Sequence, residues 1–265
     1  MNTTAPLLEV KGVTLQYKTP DHLVTATYRI DFEVFQAERF ILLGPSGCGK
    51  STLLGIAGGL LQPTAGTVSV VGAMPSSLNP FTYIFQDFAL LPWRSVAANV
   101  RLPLEHHPVS AQEREALVGE ALARTGLSDF AGALPKQLSG GMRQRVGIAR
   151  ALVVRPAVLL MDEPFSALDA QTRDLLMEDF EAIWAREQTT AAYVTHNLHE
   201  ALRLADRIMI LRRRPGRIRE IVPVPIPRGE RRGAAAERDL VRLHAELWGL
   251  IREEAQLADR EIAHA

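Results

Sequence analysis

Short apolar runs and alternating stretches divide the chain before any single residue is weighed. Leu7-Leu8-Glu9-Val10 and Val13-Thr14-Leu15-Gln16-Tyr17 alternate on either side of Lys11-Gly12, and residues 28–35 alternate again. That is the period-two pattern of half-buried strands, and it predicts an antiparallel β patch. Phe40-Ile41-Leu42-Leu43 is continuously apolar and reads as a buried strand, after which Leu53-Leu54-Gly55-Ile56-Ala57 continues as a helix. Residues 66–72 and 83–85 are further predicted strands, the second ending at Gln86. The character then turns helical from 90 to 153. There Ser110-Ala111-Gln112-Glu113 forms a capping box for a helix that carries Leu117, Ala121 and Leu122 and stops near Gly126.

Val158-Leu159-Leu160-Met161 returns to a continuous apolar run, as expected for the buried centre of a parallel sheet. A long helix to about Glu187, a strand over 190–195 ending at His196, and a hairpin around Arg214-Pro215-Gly216-Arg217 follow. Pro223, Pro225 and Pro227 break the pattern before a terminal amphipathic helix with Leu240, Leu243, Leu247 and Ile251 on one face. The predicted fold is α/β with a mainly parallel sheet, an N-terminal antiparallel β patch and an inserted helical subdomain at about 90–155. Residues 1–222 form the main domain in this reading, and 223–265 a proline-rich link with its helix.

Composition narrows the class without naming an activity. With 265 residues, 47% of them hydrophobic, the chain can bury a sizeable core. Lys+Arg and Asp+Glu both count 30, so no global field favours nucleic acid, and no nucleic-acid partner is expected. Met1-Asn2-Thr3-Thr4-Ala5-Pro6 lacks the basic and apolar segments of a signal peptide, and no run of about 18 apolar residues would span a bilayer. The single cysteine, Cys48, cannot form an intrachain disulfide, which fits a reducing compartment. The arginines at 212–214, 228, 231 and 232 could contact acidic headgroups or a partner, and read first as solvated surface charge. His106-His107 and the other histidines lack metal-ligand spacing, so no zinc site is expected.

Candidate chemistry begins at Gly44-Pro45-Ser46-Gly47-Cys48-Gly49-Lys50-Ser51-Thr52, between the first buried strand and its helix. A glycine-rich turn entering a helix leaves backbone N–H groups unpaired with the positive end of the helix dipole behind them, which suits a phosphate chain. Lys50 adds a full charge at the β/γ end, and the Ser51 hydroxyl suits a Mg²⁺ shell. Leu138-Ser139-Gly140-Gly141-Met142-Arg143-Gln144-Arg145 is a second such place, with Ser139 as N-cap and two glycines baring the first turn. Asp162-Glu163-Pro164 ends the second buried strand, where α/β sheets bind ligands, and one carboxylate can face a metal while the other faces a water. Tyr17, at the end of its strand, offers an aromatic face to a nucleobase.

Over residues 7–222 these segments resemble the ATP-binding subunit of an ATP-binding-cassette (ABC) transporter, a P-loop NTPase. Residues 44–52 look like its phosphate loop, Gln86 its Q-loop glutamine, residues 138–144 its signature, and residues 158–163 its Walker B strand. Ser166-Ala167-Leu168-Asp169 is similar to its D-loop and His196 to its switch histidine. Three positions depart from the pattern: Met142 replaces a Gln, Ala37-Glu38-Arg39 a Pro-Gly-Glu turn, and Asn197 a common Asp. A finer resemblance, to the nitrate/sulfonate/taurine group of bacterial importers, lies in Phe85-Gln86-Asp87, Leu90-Leu91-Pro92-Trp93-Arg94, Asn99-Val100 and Arg214-Pro215-Gly216-Arg217-Ile218. The chain also stops soon after the hairpin, without room for the β-rich regulatory domain of sugar-importer ATPases.

The resemblance implies a head-to-tail homodimer with ATP at each interface. The phosphate loop of one copy would face Ser139, Gly140 and Gly141 of the other, with Asp169 nearby. Ser51, Gln86 and Asp162 would hold Mg²⁺, Glu163 would polarise the attacking water, His196 would hold the γ-phosphate and Tyr17 would stack adenine. Integral membrane permease subunits and, indirectly, a solute-binding protein would be its partners at the cytoplasmic face of the cell membrane. The alternatives are an exporter ATPase, or a soluble ABC ATPase acting on DNA or ribosomes, which would carry coiled-coil inserts or tandem cassettes. A GTPase would need an Asn-Lys-x-Asp reader that Lys11, Lys18, Lys50 and Lys136 do not supply. A small-molecule P-loop kinase would not need residues 139–141, and an adaptor would leave Asp162, Glu163 and His196 unused.

Overall fold

The computed structural model describes residues 5–18, 22–71, 78–86, 89–166, 168–187, 189–213 and 215–263. Gly72, Asp87, Ala167 and Arg214, each part of a segment singled out above, lie outside the described residues. The chain divides into two compact units, residues 1–72 with 190–265, and residues 73–189.

The first unit opens on β1 (Pro6–Lys18) and β2 (Leu23–Phe35), paired antiparallel with Val10 opposite Phe32 and Val13 opposite Ile30. The two alternating runs of the sequence are one strand, because the register shifts between Val10 and Val13, where Gly12 takes φ 59°. A bulge there keeps both apolar runs on the buried face. β3 (Arg39–Leu43) is buried at every residue and leads through the glycine-rich turn into α1 (Lys50–Ala57). β4 (Ala65–Val70) joins β1 antiparallel, Val68 opposite Val10. At Gly66 a Cβ would come within 2.5 Å of the Gly12 backbone, so the bulge in β1 requires a glycine in β4.

The second unit contains β5 (Phe81–Ile84), α2 (Val96–Arg101), α3 (Ala111–Arg124), α4 (Gly140–Leu152), β6 (Val158–Asp162) and α5 (Ala170–Glu187). β5 and β6 pair in parallel, Tyr83 opposite Leu160. Val96, Val100, Leu117, Leu122, Val146 and Ala149 share one core beneath α2, α3 and α4. Ser110 caps α3 by accepting the Glu113 N–H at 3.1 Å. Asn99 is fully buried. Its amide accepts the Leu91 N–H at 2.8 Å and donates to the carbonyls of Leu91, Arg94 and Ser95 at 3.0–3.1 Å. That single side chain satisfies the loop before α2, which gives the pairing of Leu-Leu-Pro-Trp-Arg with Asn99 a structural reason.

Returning to the first unit, β7 (Thr190–Thr195) and β8 (Arg207–Arg212) flank β3, both parallel to it, with Ile41 opposite Tyr193 and Ile208. α6 (Leu198–Leu204) lies between them in sequence, and β9 (Arg217–Pro223) returns antiparallel beside β8. α7 (Ala234–Ala263) packs on α6 and β8, burying Leu243 and Leu247. Here the reading of the arginines is corrected at one position. Arg231 is buried, and its guanidinium donates to the carbonyls of Ile226, Leu202 and Arg203 at 2.9–3.0 Å, tying the proline-rich link to the end of α6. Its charge is compensated by peptide dipoles that a sequence pattern does not display.

Candidate functional site

In the first unit the turn from β3 to α1 is built around glycine. Gly49 is the N-cap of α1 with φ 95°, and no side chain caps that helix end. Gly47 takes φ 75°, while at Gly44 a Cβ would lie 2.9 Å from the Leu211 carbonyl oxygen and 3.0 Å from Cys48 Sγ. The turn therefore leaves the N–H groups of the α1 end without intrahelical acceptors, as an anion site requires. Ser46, Gly47 and Ser51 are exposed, whereas Lys50 is buried with Nζ donating to the carbonyls of Gly44 at 2.9 Å and Pro45 at 3.0 Å. Pro45 and Thr52 are half-buried on either side.

Cys48 departs from what its place in the loop suggests. Only 1% exposed, its thiol is pushed above the ordinary range by burial, which the nearby Lys50 ammonium partly opposes. It is a small apolar filler under the turn and not an accessible nucleophile. The tip of the β8–β9 hairpin closes over the same place. Gly216 exchanges hydrogen bonds with Ala26 and Tyr28, and a Cβ on it would come within 2.3 Å of the Cys48 carbonyl oxygen. Arg217 stacks over the Tyr28 ring beside it, 4.5 Å from the centroid.

Tyr17 is exposed near the end of β1, and His196 is exposed directly after β7. Asn197, which follows the histidine, caps α6 by accepting the N–H groups of His199 and Glu200. The departure from Asp therefore preserves the cap. Behind the histidine, Glu200 is buried and accepts hydrogen bonds from the hydroxyls of Tyr193 and Thr195.

In the second unit, Asp162 ends β6, and the Tyr83 hydroxyl on β5 donates to its Oδ2 at 3.3 Å. Burial first, and then the Asp162 charge, raise the Tyr83 phenol well above its ordinary range, so it stays a neutral donor. Glu163 follows with φ 45°. Ser166 returns both its N–H and its hydroxyl to the Glu163 carbonyl, at 3.1 and 2.8 Å. Gln86 is exposed just beyond β5.

Ser139 caps α4, accepting the Met142 N–H at 3.2 Å, as its position in the sequence predicts. Gly140 and Gly141 occupy the first turn; a Cβ at Gly141 would reach Thr172 of α5 at 3.4 Å. Asp169 accepts the N–H and hydroxyl of Thr172 at 2.9 and 2.7 Å, and these bonds lower its pKa. It caps the start of α5, a role open to any N-terminal aspartate.

Each unit thus assembles part of the expected set. Residues 44–52 lie together in one, and in the other α4 carries Ser139 while β6 delivers Asp162 and Glu163. Tyr83 and Gln144 are the residues that sequence reasoning passed over. Tyr83 reads as an ordinary strand residue, and Gln144, whose amide donates to the Pro164 carbonyl at 2.5 Å, reads only as the tail of the Ser139 segment.

Comparison with known proteins decides the family. A family model described as ABC transporter matches residues 28–166. The chain belongs to the ABC transporter family. The taurine import ATP-binding protein TauB of Rhizobium johnstonii is 44% identical over 196 residues, covering 74% of this chain and 75% of that protein. The bicarbonate transport ATP-binding protein CmpD of Synechocystis is 39% identical over 229 residues, covering 85% of this chain and 81% of that protein. Among solved structures, a dimeric post-hydrolysis state of the ATP-binding cassette MJ0796 bound to ADP and Pi matches with a TM-score of 0.70 at 31% identity. It covers 83% of this chain and all of the other. The protein is an ATP-binding, ATP-hydrolysing subunit of the ABC transporter family with the cassette fold. No helix among the described residues is long and apolar enough to cross a membrane.

Proposed function

We propose that this chain is the motor of a bacterial importer. Two copies bind ATP between them and couple its hydrolysis to uptake of a small anion, such as nitrate, a sulfonate or taurine, through partner permease subunits. The observation that carries the importer reading is the similarity, over most of both chains, to ATP-binding proteins named for taurine import and bicarbonate transport. A solute-binding protein delivers the anion in this reading, and the chain works at the cytoplasmic face of the membrane. Residues 1–222 serve as its nucleotide-binding domain, with the helical subdomain at about 90–155 and the link and terminal helix at 223–265.

The residues present fit a magnesium-bound triphosphate. Behind Gly49, at φ 95°, the first N–H groups of α1 have no side-chain cap, as an anion site requires, and Lys50 would exchange the carbonyls of Gly44 and Pro45 for phosphate oxygens. Ser51, Gln86 and Asp162 would hold the Mg²⁺, which would supply charge neutralisation at the phosphates. Tyr17 stacks on adenine, His196 binds the γ-phosphate, and Glu163 orients and polarises the attacking water. Ser139, Gly140 and Gly141 of the partner copy complete the phosphate contacts, and Asp169 lies at the seam. Phosphoryl transfer needs mainly such positioning and charge neutralisation.

The test uses the purified chain with Mg²⁺ and ATP. Glu163→Gln is expected to keep ATP binding, accumulate an ATP-bound dimer in gel filtration and slow turnover by about 10² or more. Unchanged turnover removes Glu163 from its role. Affinity capture from the native membrane is expected to bring down permease subunits, and capture of ribosomes or DNA in their place overturns the transport reading.

A further inference from the structure

We propose that Gln144 is a positioning residue for Glu163, acting through the backbone of the turn after β6; this rests on the role given to Glu163 above. Glu163 sits at φ 45°, in the left-handed region that a side chain disfavours. It also precedes Pro164, whose ring further restricts the residue before it. A backbone held in so unfavourable a state persists only where its surroundings over-determine it.

Two holds are present. Ser166 donates its N–H and its hydroxyl to the Glu163 carbonyl. Gln144 reaches from α4 and donates Nε2 to the next carbonyl, that of Pro164, at 2.5 Å. With consecutive carbonyls fixed, the peptide between Glu163 and Pro164 cannot rotate, and the direction in which the glutamate side chain leaves the strand is set.

Packing alone does not explain this glutamine. Gln144 is fully buried, and among the described residues its Oε1 has no hydrogen-bond partner. An apolar residue of the same length would fill the place without burying a half-satisfied amide. The cost is retained where the donor serves a purpose, and among the described residues the acceptor it meets is the Pro164 carbonyl. The helix that carries Gln144 is capped by Ser139, so one rigid element sets both the serine cap and the glutamate turn. Further along α4, Arg150 donates to the carbonyl of Ala89 at 2.9 Å, a second non-glycine residue with positive φ, three positions after Gln86. α4 thereby grips two strained loops.

The experiment compares Gln144→Met, which keeps length and removes the donor, with Gln144→Glu, which sets a carboxylate against the Pro164 carbonyl. For both, kcat is expected to fall about tenfold or more while KM for ATP changes less than about twofold, the mark of a misaimed group rather than a lost binding contact. In a Glu163→Gln background, Gln144→Met is expected to leave the residual single-turnover rate unchanged, because the carboxylate it aims is gone. A residue needed only for packing would lower that rate again. Full kcat in Gln144→Met beside a slow Glu163→Gln overturns the proposal alone, whereas full kcat in Glu163→Gln removes the role of Glu163 and the proposal with it. Should Gln144→Met fail to fold, Ser166→Ala reads the same turn from its other hold. Reduced kcat at constant KM supports the proposal, and full kcat overturns it.

Discussion

The hydroxyl of Tyr83 donates to Oδ2 of Asp162, strand to strand, at the point where β6 delivers its carboxylates. The bond ties a proposed magnesium ligand to a side chain on the neighbouring strand. Because the phenol stays neutral well above neutral pH, the donor is present throughout the working range. Tyr83→Phe keeps the ring, which packs on Phe85 at 4.4 Å, and removes only the hydroxyl. The expected result is a loss of about 1 kcal/mol in stability and a rise of a few fold in the Mg²⁺ concentration that half-saturates turnover. Titration of ATPase activity with Mg²⁺ measures it.

Lys50 is held by two carbonyls of its own loop, so its removal acts twice. Lys50→Ala is expected to weaken ATP binding by tenfold or more, about 1.4 kcal/mol or above, since a charge at the phosphates is lost. It also frees the Gly44 and Pro45 carbonyls that Nζ satisfies. Calorimetric titration with ATP reads the first effect, and the melting temperature without nucleotide reads the second.

Cys48 provides a pH prediction. Its folded pKa lies above the unfolded value because burial disfavours the thiolate. Native binding of that proton stabilises the fold fully below the unfolded pKa, and the contribution is lost as pH rises through the folded pKa. Urea midpoints are therefore expected to fall on the alkaline side of the ordinary thiol range, and Cys48→Ala to flatten that limb. Alkylation by iodoacetamide at neutral pH is expected to be slow until the protein is unfolded.

Arg231 makes a purely structural prediction. Its guanidinium satisfies three carbonyls at the junction of the proline-rich link with α6. Arg231→Met is expected to lower stability by about 2 kcal/mol or more, leaving buried acceptors unpaired. KM for ATP is expected to stay unchanged. Chemical denaturation and steady-state kinetics on the same preparation separate the two.

What the sequence makes legible is local. Residues 44–52, the Ser139 cap and the run 158–163 announce themselves because their chemistry depends on adjacent residues, and β7 occupies the predicted residues 190–195. The pairing of β4 with β1 was not legible, since a strand's partner is fixed by a fit such as that of Gly66 over the Gly12 bulge. Tyr83 with Asp162 and Gln144 with Pro164 likewise exist only once distant segments meet. Arg231 misled for a related reason. A charge among charges reads as solvated, until carbonyls close around it.

The contact between Gly216 and the Cys48 carbonyl has a steric consequence. The hairpin tip acts as a ceiling set at the height of a bare Cα, so the glycine-rich turn has no room to rise. Two segments far apart along the chain thus share one clearance, and a side chain at position 216 fits only if the Cys48 backbone shifts.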